Sequence, residues 1–175
     1  SPACGWSYYF NGAEATSEGI ELDFSYTLAD NLFLDFTGSS MTAETNTDIP
    51  SLGASKGDRL PNTVEQQYNI GLTYEYSSPL MGLSSFIRAD YLYYGDSFAT
   101  FGQSEDMFSP DYSKLNINWG MEIDENNSIQ ISVDNATDER TEAFKYAVSS
   151  PSWRPRDYMQ WIPPRSITFA YRYNY

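Results

Sequence analysis

Apolar and polar side chains alternate with a period of two along most of this chain, the signature of strands with two unlike faces. The segment 63–76 places Val64, Tyr68, Ile70, Leu72, Tyr74 and Tyr76 on one parity and Glu65, Gln67, Asn69, Thr73 and Glu75 on the other. The same period predicts strands over 111–123 (Leu115, Ile117, Trp119, Met121, Ile123), over 128–134 (Ile129, Ile131, Val133) and over a last segment carrying Ile167, Phe169, Tyr171, Tyr173 and Tyr175. It is weaker over 14–28 (Ile20, Leu22, Phe24, Tyr26, Leu28), 32–45 (Leu32, Leu34, Phe36) and 83–97 (Leu83, Ile87, Ala89, Tyr91, Tyr93). Seven strands result, and no helical period of comparable strength.

The connections alternate in length. Segments 29–31, 77–82 and 124–127 are short, whereas 46–62, 98–110 and 138–164 are long. In an up-and-down antiparallel sheet this sets tight turns at one end and long loops at the other, the plan of a transmembrane β-barrel. Strands of about 10 to 15 residues suit a tilted membrane crossing of about 9 to 11 better than the usual globular strand of about 5 to 6. Tyr and Trp gather toward strand ends, where their polar tips would reach lipid headgroups. The opposite face carries Glu, Asp, Asn, Gln, Ser and Thr, which need water or a polar plug. A soluble antiparallel sandwich would have to bury one of these faces dry, and its strands would be shorter and richer in Val.

Composition narrows the function. With 24 Asp and Glu against 10 Lys and Arg, the net charge is −14 and the pI is near 4.1, so a phosphate backbone is repelled and nucleic acid is not expected as a partner. The chain has no His and one Cys, Cys4, which removes Ser-His-Asp and Cys-His machinery and cysteine-rich metal sites. No enzymatic activity, cofactor or bound metal is expected. The 15 Tyr, 10 Phe and 4 Trp exceed what a soluble core would choose. No apolar run approaches the roughly 18 residues of a membrane helix, and the first residues lack a basic segment followed by an apolar one. Bacterial outer-membrane barrels have even strand numbers. Seven strands, with residues 1–13 entering from the long-loop side, therefore suggest part of a larger barrel.

The segments NGAEATSEGIEL (11–22), GDRLPN (57–62), NIGLTY (69–74), YYGD (93–96), VDNATDE (133–139) and Pro164-Arg165, taken in order, resemble the C-terminal β-barrel portion of TonB-dependent outer-membrane receptors. Asn11 to Leu22 (NGAEATSEGIEL) is similar to the family's segment leading into Gly-x-Glu-Leu at the head of a strand. Gly57 to Asn62 (GDRLPN) resembles the end of an extracellular loop, followed by Asn69 to Tyr74 (NIGLTY). Tyr93 to Asp96 (YYGD), Val133 to Glu139 (VDNATDE) and Pro164-Arg165 before an aromatic-ended strand complete an ordered series over nearly the whole chain. Gly12 and Ala13 are inverted, Val64 stands where Pro is common and Ala136 replaces the usual Leu. The resemblance implies an all-β, antiparallel up-and-down transmembrane β-barrel segment. It would have about seven strands, or eight if residues 1–13 supply one, and form an incomplete part of a 22-stranded barrel spanning 1–175 here. It further implies a Gram-negative outer-membrane location with a periplasmic C-terminus. Solute uptake (ferric siderophore, cobalamin or carbohydrate) would be coupled to the TonB complex through an N-terminal plug not present in this sequence. Outer-membrane lipid, lipopolysaccharide and the barrel-assembly machinery are the other expected partners. The alternating aromatics Phe169, Tyr171, Tyr173 and Tyr175 resemble the strand-addition signal read by that machinery.

Two other readings remain open at this point. One is a self-contained eight-stranded barrel with a structural or passive-pore role. The other is a soluble carbohydrate-binding sandwich. Among local motifs, Gly53 to Gly57 (GASKG) has the spacing of a nucleophile elbow but no strand-turn-helix context and no base for Ser55. Asp124 to Ser128 (DENNS) reads as a polar turn rather than a calcium loop. Asn126 and Asn135 sit in glycosylation-type triplets that carry no weight in a bacterial membrane protein. Loop 138–164 holds Arg140, Lys145, Arg154 and Arg156 interleaved with Phe144, Tyr146, Trp153, Tyr158 and Trp161. Arg154, Arg156, Tyr158 and Trp161 are the candidate ligand contacts, suited to an anionic or planar group. In 46–62, Lys56, Asp58 and Arg59 are expected to form a local surface charge pair.

Overall fold

The computed structural model describes residues 14–79, 82–148 and 156–175. Among them the strands are β1 (Ala15–Ala29), β2 (Leu32–Thr45), β3 (Gln66–Ser77), β4 (Ser84–Tyr94), β5 (Ser97–Phe98), β6 (Phe108–Ser109), β7 (Tyr112–Glu122), β8 (Asn127–Asp134), β9 (Glu142–Val148), β10 (Arg156–Trp161) and β11 (Ser166–Tyr173). Seven of them form one antiparallel sheet in the order β1-β2-β3-β4-β7-β8-β11. The sheet is open, with β1 and β11 at its edges. The seven predicted strands are these seven. Turns fall at 30–31, 78–83 and 123–126, and long connections, here L1 (46–65), L2 (95–111) and L3 (135–165), lie at the other end.

The register explains the alternation. Tyr26, Leu34, Leu72, Ala89, Ile117, Val133 and Ile167 are successive partners, an apolar row crossing all seven strands. A second row runs Leu32, Tyr74, Ile87, Trp119, Ile131 and Phe169. A one-residue slip at Tyr26, Ala89, Ile117, Val133 or Ile167 would bring only polar side chains into the first row, so the pattern fixes the pairing.

Among the described residues this apolar face meets no second layer. Ile20 is 69% exposed, Leu22 56%, Ile167 59% and Phe169 75%. The buried apolar residues among those described are Ala43, Ile49, Ala54 and Ile162, all on the loop side. A soluble sandwich would bury one face of each strand, so that reading falls; the greasy face is open for lipid. Aromatics mark both ends of it. Toward the turns, Tyr74 stacks on Tyr76 at 5.7 Å and the Trp119 Nε1–H donates to Tyr76 Oη at 2.8 Å. Toward the loops, Tyr68 stacks on Tyr93 at 5.0 Å.

Two expectations are corrected. Strand β3 begins at Gln66 rather than at 63, because residues 60–63 form a turn in which the Thr63 hydroxyl donates to the Leu60 carbonyl at 2.6 Å. Loop 138–164 contains an antiparallel hairpin, β9–β10, and 98–110 contains the short β5–β6 ladder. An eighth strand from residues 1–13 lies outside the described residues.

Candidate functional site

The polar face of the sheet is organised around one cation. Asp35, Gly71 and Asp90 are direct partners across β2, β3 and β4, and Arg88 sits two residues before Asp90 on the same face. Its guanidinium lies over Gly71: Nε and Nη2 donate to Asp90 at 2.8–3.0 Å, while Nη1 donates to Asp35 Oδ2 at 2.6 Å and to Thr73 Oγ1 at 2.9 Å. The Ser25 hydroxyl adds a donor to Asp35 at 2.7 Å, so the network spans β1 to β4. Glycine at 71 is required by this approach. A Cβ there would stand 2.9 Å from both Arg88 Cζ and Asp90 Oδ1, closer than real Cβ contacts allow. Toward the loops the same face opens into a groove of about 490 Å³ lined by Glu21, Asp23, Thr37, Gln67, Asn69 and Tyr94. Tyr94 stacks on Tyr112 at 5.1 Å.

The loop layer is built on two polar nodes. At the first, Arg59 does not pair with Asp58, contrary to the expected local charge pair. It reaches 37 residues along the chain to Asp96, with Nη1 donating to Oδ2 at 3.0 Å and Nη2 to the Asp96 carbonyl, while Glu65 lies at 3.6 Å. Asp58 instead accepts the Ser55 N–H, and the Lys56 N–H goes to Asp48. At the second node, Asn135 is 3% exposed and in the left-handed region at φ 50°. Its amide donates both hydrogens, to the Glu139 and Pro163 carbonyls at 2.9 and 3.0 Å, and its Oδ1 accepts the Glu139 N–H at 3.0 Å. Asp138 accepts the Arg165 N–H and the Arg140 guanidinium. Together they clamp the two feet of L3. The glycosylation triplet at Asn135 is therefore a structural anchor with no free amide hydrogen.

Two acids outside the spanning strands are tuned by this geometry. Asp124 is held below the ordinary carboxylate range by the Asn126 backbone N–H, helped by the Asn127 amide, which makes the 123–127 segment a carboxylate-nucleated turn. Asp138 is held down by the Arg165 N–H first and by Arg140 second. Hydrogen bonds to the charged form favour that form.

Three of the four predicted ligand contacts fall on strand β10 of the L3 hairpin. Arg154 lies outside the described residues, and Arg156 opens β10 opposite Val148. Tyr158 stands opposite Tyr146, and Trp161 opposite Glu142 after a register shift. Tyr158 and Trp161 are each 54% exposed, and Phe144 stacks on Tyr146 at 6.5 Å. The hairpin thus brings Tyr158 to Tyr146 and leaves an exposed aromatic surface rather than an enclosed pocket. Lys145 is taken up by Glu142 at 2.8 Å. Of the assembly-signal residues, Phe169, Tyr171 and Tyr173 lie on the exposed apolar face of edge strand β11, and Tyr175 follows it with its ring 6.4 Å from that of Tyr173. The Arg59 and Asn135 nodes were not anticipated as functional geometry, although both lie in segments noted for their resemblance.

A two-faced open sheet with its loops gathered at one end is the wall of an outer-membrane barrel, and comparison with known families agrees. The family described as TonB dependent receptor-like, beta-barrel, matches residues 1–136. The chain belongs to that family. Its members are receptors of the Gram-negative outer membrane. Among solved structures it is similar to the ferric yersiniabactin uptake receptor FyuA from Yersinia pestis, with a TM-score of 0.77 and 18% identity over 94% of this chain and 24% of that one. The ferric-catecholate import receptor Fiu from E. coli K12 gives 0.71 and 15% over 99% and 22%. The siderophore receptor PiuA from Acinetobacter baumannii gives 0.71 and 16% over 93% and 22%. At these identities the likeness concerns the fold. The TonB-dependent barrel chain described here spans less than a quarter of the length of each of these receptors. No curated protein matches it.

Proposed function

We propose that these strands form the C-terminal wall of a 22-stranded receptor barrel that takes up a ferric siderophore across the outer membrane, with the C-terminus in the periplasm. The observation that carries the reading is the sheet itself, with a continuous apolar row exposed on one face and a hydrogen-bonded polar wall on the other. Solved structures similar to it include receptors for ferric yersiniabactin, ferric catecholates and pyoverdines, which favours siderophores over cobalamin or carbohydrate. The role is binding and passage of a solute rather than catalysis. Energy coupling through the TonB complex belongs to a plug domain outside these strands.

In this reading Tyr158 and Trp161, with Arg154 and Arg156, touch the ferric complex as it arrives at the cell surface. Exposed aromatic rings and arginine side chains suit the planar, negatively charged faces of catecholate and phenolate chelates. The outer face contacts lipid and lipopolysaccharide, and β11 offers its free edge to the assembly machinery. The test is iron-limited growth and equilibrium binding of ferric catecholate and ferric phenolate chelates to the intact receptor. Tyr158→Ala and Trp161→Ala should each weaken binding of one of these probes about tenfold while leaving outer-membrane abundance unchanged. Unaltered binding of every chelate that the unmodified receptor takes up would remove these residues from the site. Failure of the receptor to take up any ferric chelate would remove the siderophore reading.

A further inference from the structure

L1 and L2 meet at one nearly buried cation. The Arg59 side chain is 13% exposed, and its guanidinium is shared between the loops. Within L1, Nε and Nη2 donate to the Thr63 carbonyl at 3.3 and 3.1 Å. Across to L2 it engages both the carboxylate and the carbonyl of Asp96, and its Cζ lies 5.9 Å from the centre of the Phe98 ring. One further polar link joins the two loops among the described residues, the Asn62 N–H to the Phe98 carbonyl at 2.7 Å. Asn62 itself is held at φ 59°, uncommon outside glycine.

The two loops are otherwise unequal. L1 is fastened along the end of β2: the Leu60 N–H donates to the Ala43 carbonyl, the Thr45 N–H to Asp58 and the Gly57 N–H to Thr45, over the buried side chains of Ala43, Thr45, Ile49 and Ala54. L2 has fewer such ties: the two-residue β5–β6 ladder, the Ala99 N–H to the Met107 carbonyl, the Phe98–Phe108 ring contact at 5.1 Å and a contact with β9 of L3. Its polar ties to L1 are the Arg59 node and the Asn62 N–H. A lysine could not replace this contact. Only a planar fork can address a carbonyl in one loop while holding a carboxylate and a carbonyl in the other.

We propose that Arg59 is a positioning residue that makes L1 and L2 a single cooperative unit at the barrel mouth, so that L2 opens together with L1 rather than alone. The inference goes beyond the uptake reading and holds whichever solute the receptor carries.

Hydrogen exchange measured by mass spectrometry on the intact protein in detergent micelles tests it, since local opening is read segment by segment. Arg59→Gln and Asp96→Asn should each accelerate exchange about ten- to hundredfold in 96–109, the range expected when hydrogen bonds to a charged group are lost, and by less in 46–63, which keeps its own bonds to the end of β2. Segments 68–76 and 87–93 should keep their protection. The double variant should be no worse than the more affected single variant, because both remove the same link, and Arg59→Lys should fall between. If Arg59→Gln does not fold, Asp96→Asn keeps the side-chain shape and carries the same comparison. Unchanged exchange in 96–109, acceleration greater in 46–63 than in 96–109, additive effects in the double variant, or loss of protection in the spanning strands would each overturn the proposal.

Discussion

Replacing Arg88 by methionine isolates what the polar wall contributes. The substitution keeps the aliphatic stem and deletes the guanidinium that bridges Asp35, Thr73 and Asp90. A hydrogen-bonded set to charged groups is worth about 1.5–3 kcal/mol net. Here the side chains are partly wet, Arg88 at 30% exposure, Asp35 at 38% and Asp90 at 16%, so water recovers a share. The deletion also leaves two carboxylates flanking Gly71 with no cation between them, and uncompensated charge is the larger part of the cost when one member of an ion cluster is removed. A destabilisation of about 2 kcal/mol follows, equivalent to a urea midpoint lowered by about 1 M at an m-value of about 2 kcal/mol/M. Tryptophan fluorescence during urea unfolding of the intact protein in detergent reads this directly. Adding Asp35→Asn and Asp90→Asn to the Arg88→Met background should recover at least half of the loss, because the stranded charges are then gone. A midpoint that moves by less than about 0.2 M, or a triple variant worse than Arg88→Met, would refute the assignment of this network as a stabilising bridge.

Other expectations use different parts of the molecule. Neighbouring substitutions on β8 should separate the two faces: Val133→Arg, in the central apolar row, should cost about 2–4 kcal/mol and reduce outer-membrane insertion, while Ser132→Arg on the polar face should be tolerated. Asn135→Ala removes both amide donors and strands two carbonyls, so it should cost about 2 kcal/mol and raise protease sensitivity within L3 before the sheet is affected. Acid should loosen the Asp124 turn and the Asp138 foot of L3. Each carboxyl has a lower pKa folded than unfolded, so its stabilisation is complete above the ordinary carboxylate value of 3.8 and is lost as pH falls from there through the lower folded value. Amide exchange at Asn126 and Asn127 below pH 4 checks this, and Asp124→Asn should abolish the pH dependence of that turn.

The seven sheet strands could be read from sequence because lipid on one side and a polar lumen on the other constrain every second residue. Tyr26 to Ile167 form one row only because each strand independently keeps its apolar parity, and that parity is local. The hairpin β9–β10 escaped although Phe144, Tyr146 and Val148 alternate with Lys145. Its aromatics stand among charged and small residues with no bilayer face to enforce a clean pattern, so the segment reads as a decorated loop. Arg59 misled for a related reason. Its sequence neighbour Asp58 offers a plausible partner, yet the Asp58 carboxylate is already bound to the Ser55 N–H, and the acid that Arg59 takes lies where the return of β4 delivers it. Asp35 and Arg88 are 53 residues apart and meet only because Gly71 is empty enough to let a guanidinium cross β3. Asn135 and Asp138 belong to a segment whose resemblance was visible, but their task of joining Glu139, Pro163 and Arg165 requires both feet of L3 to arrive together. Contacts of this kind depend on register summed over several strands. A single extra residue in L1 beyond Arg59 would leave every strand legible and still separate Arg59 from Asp96.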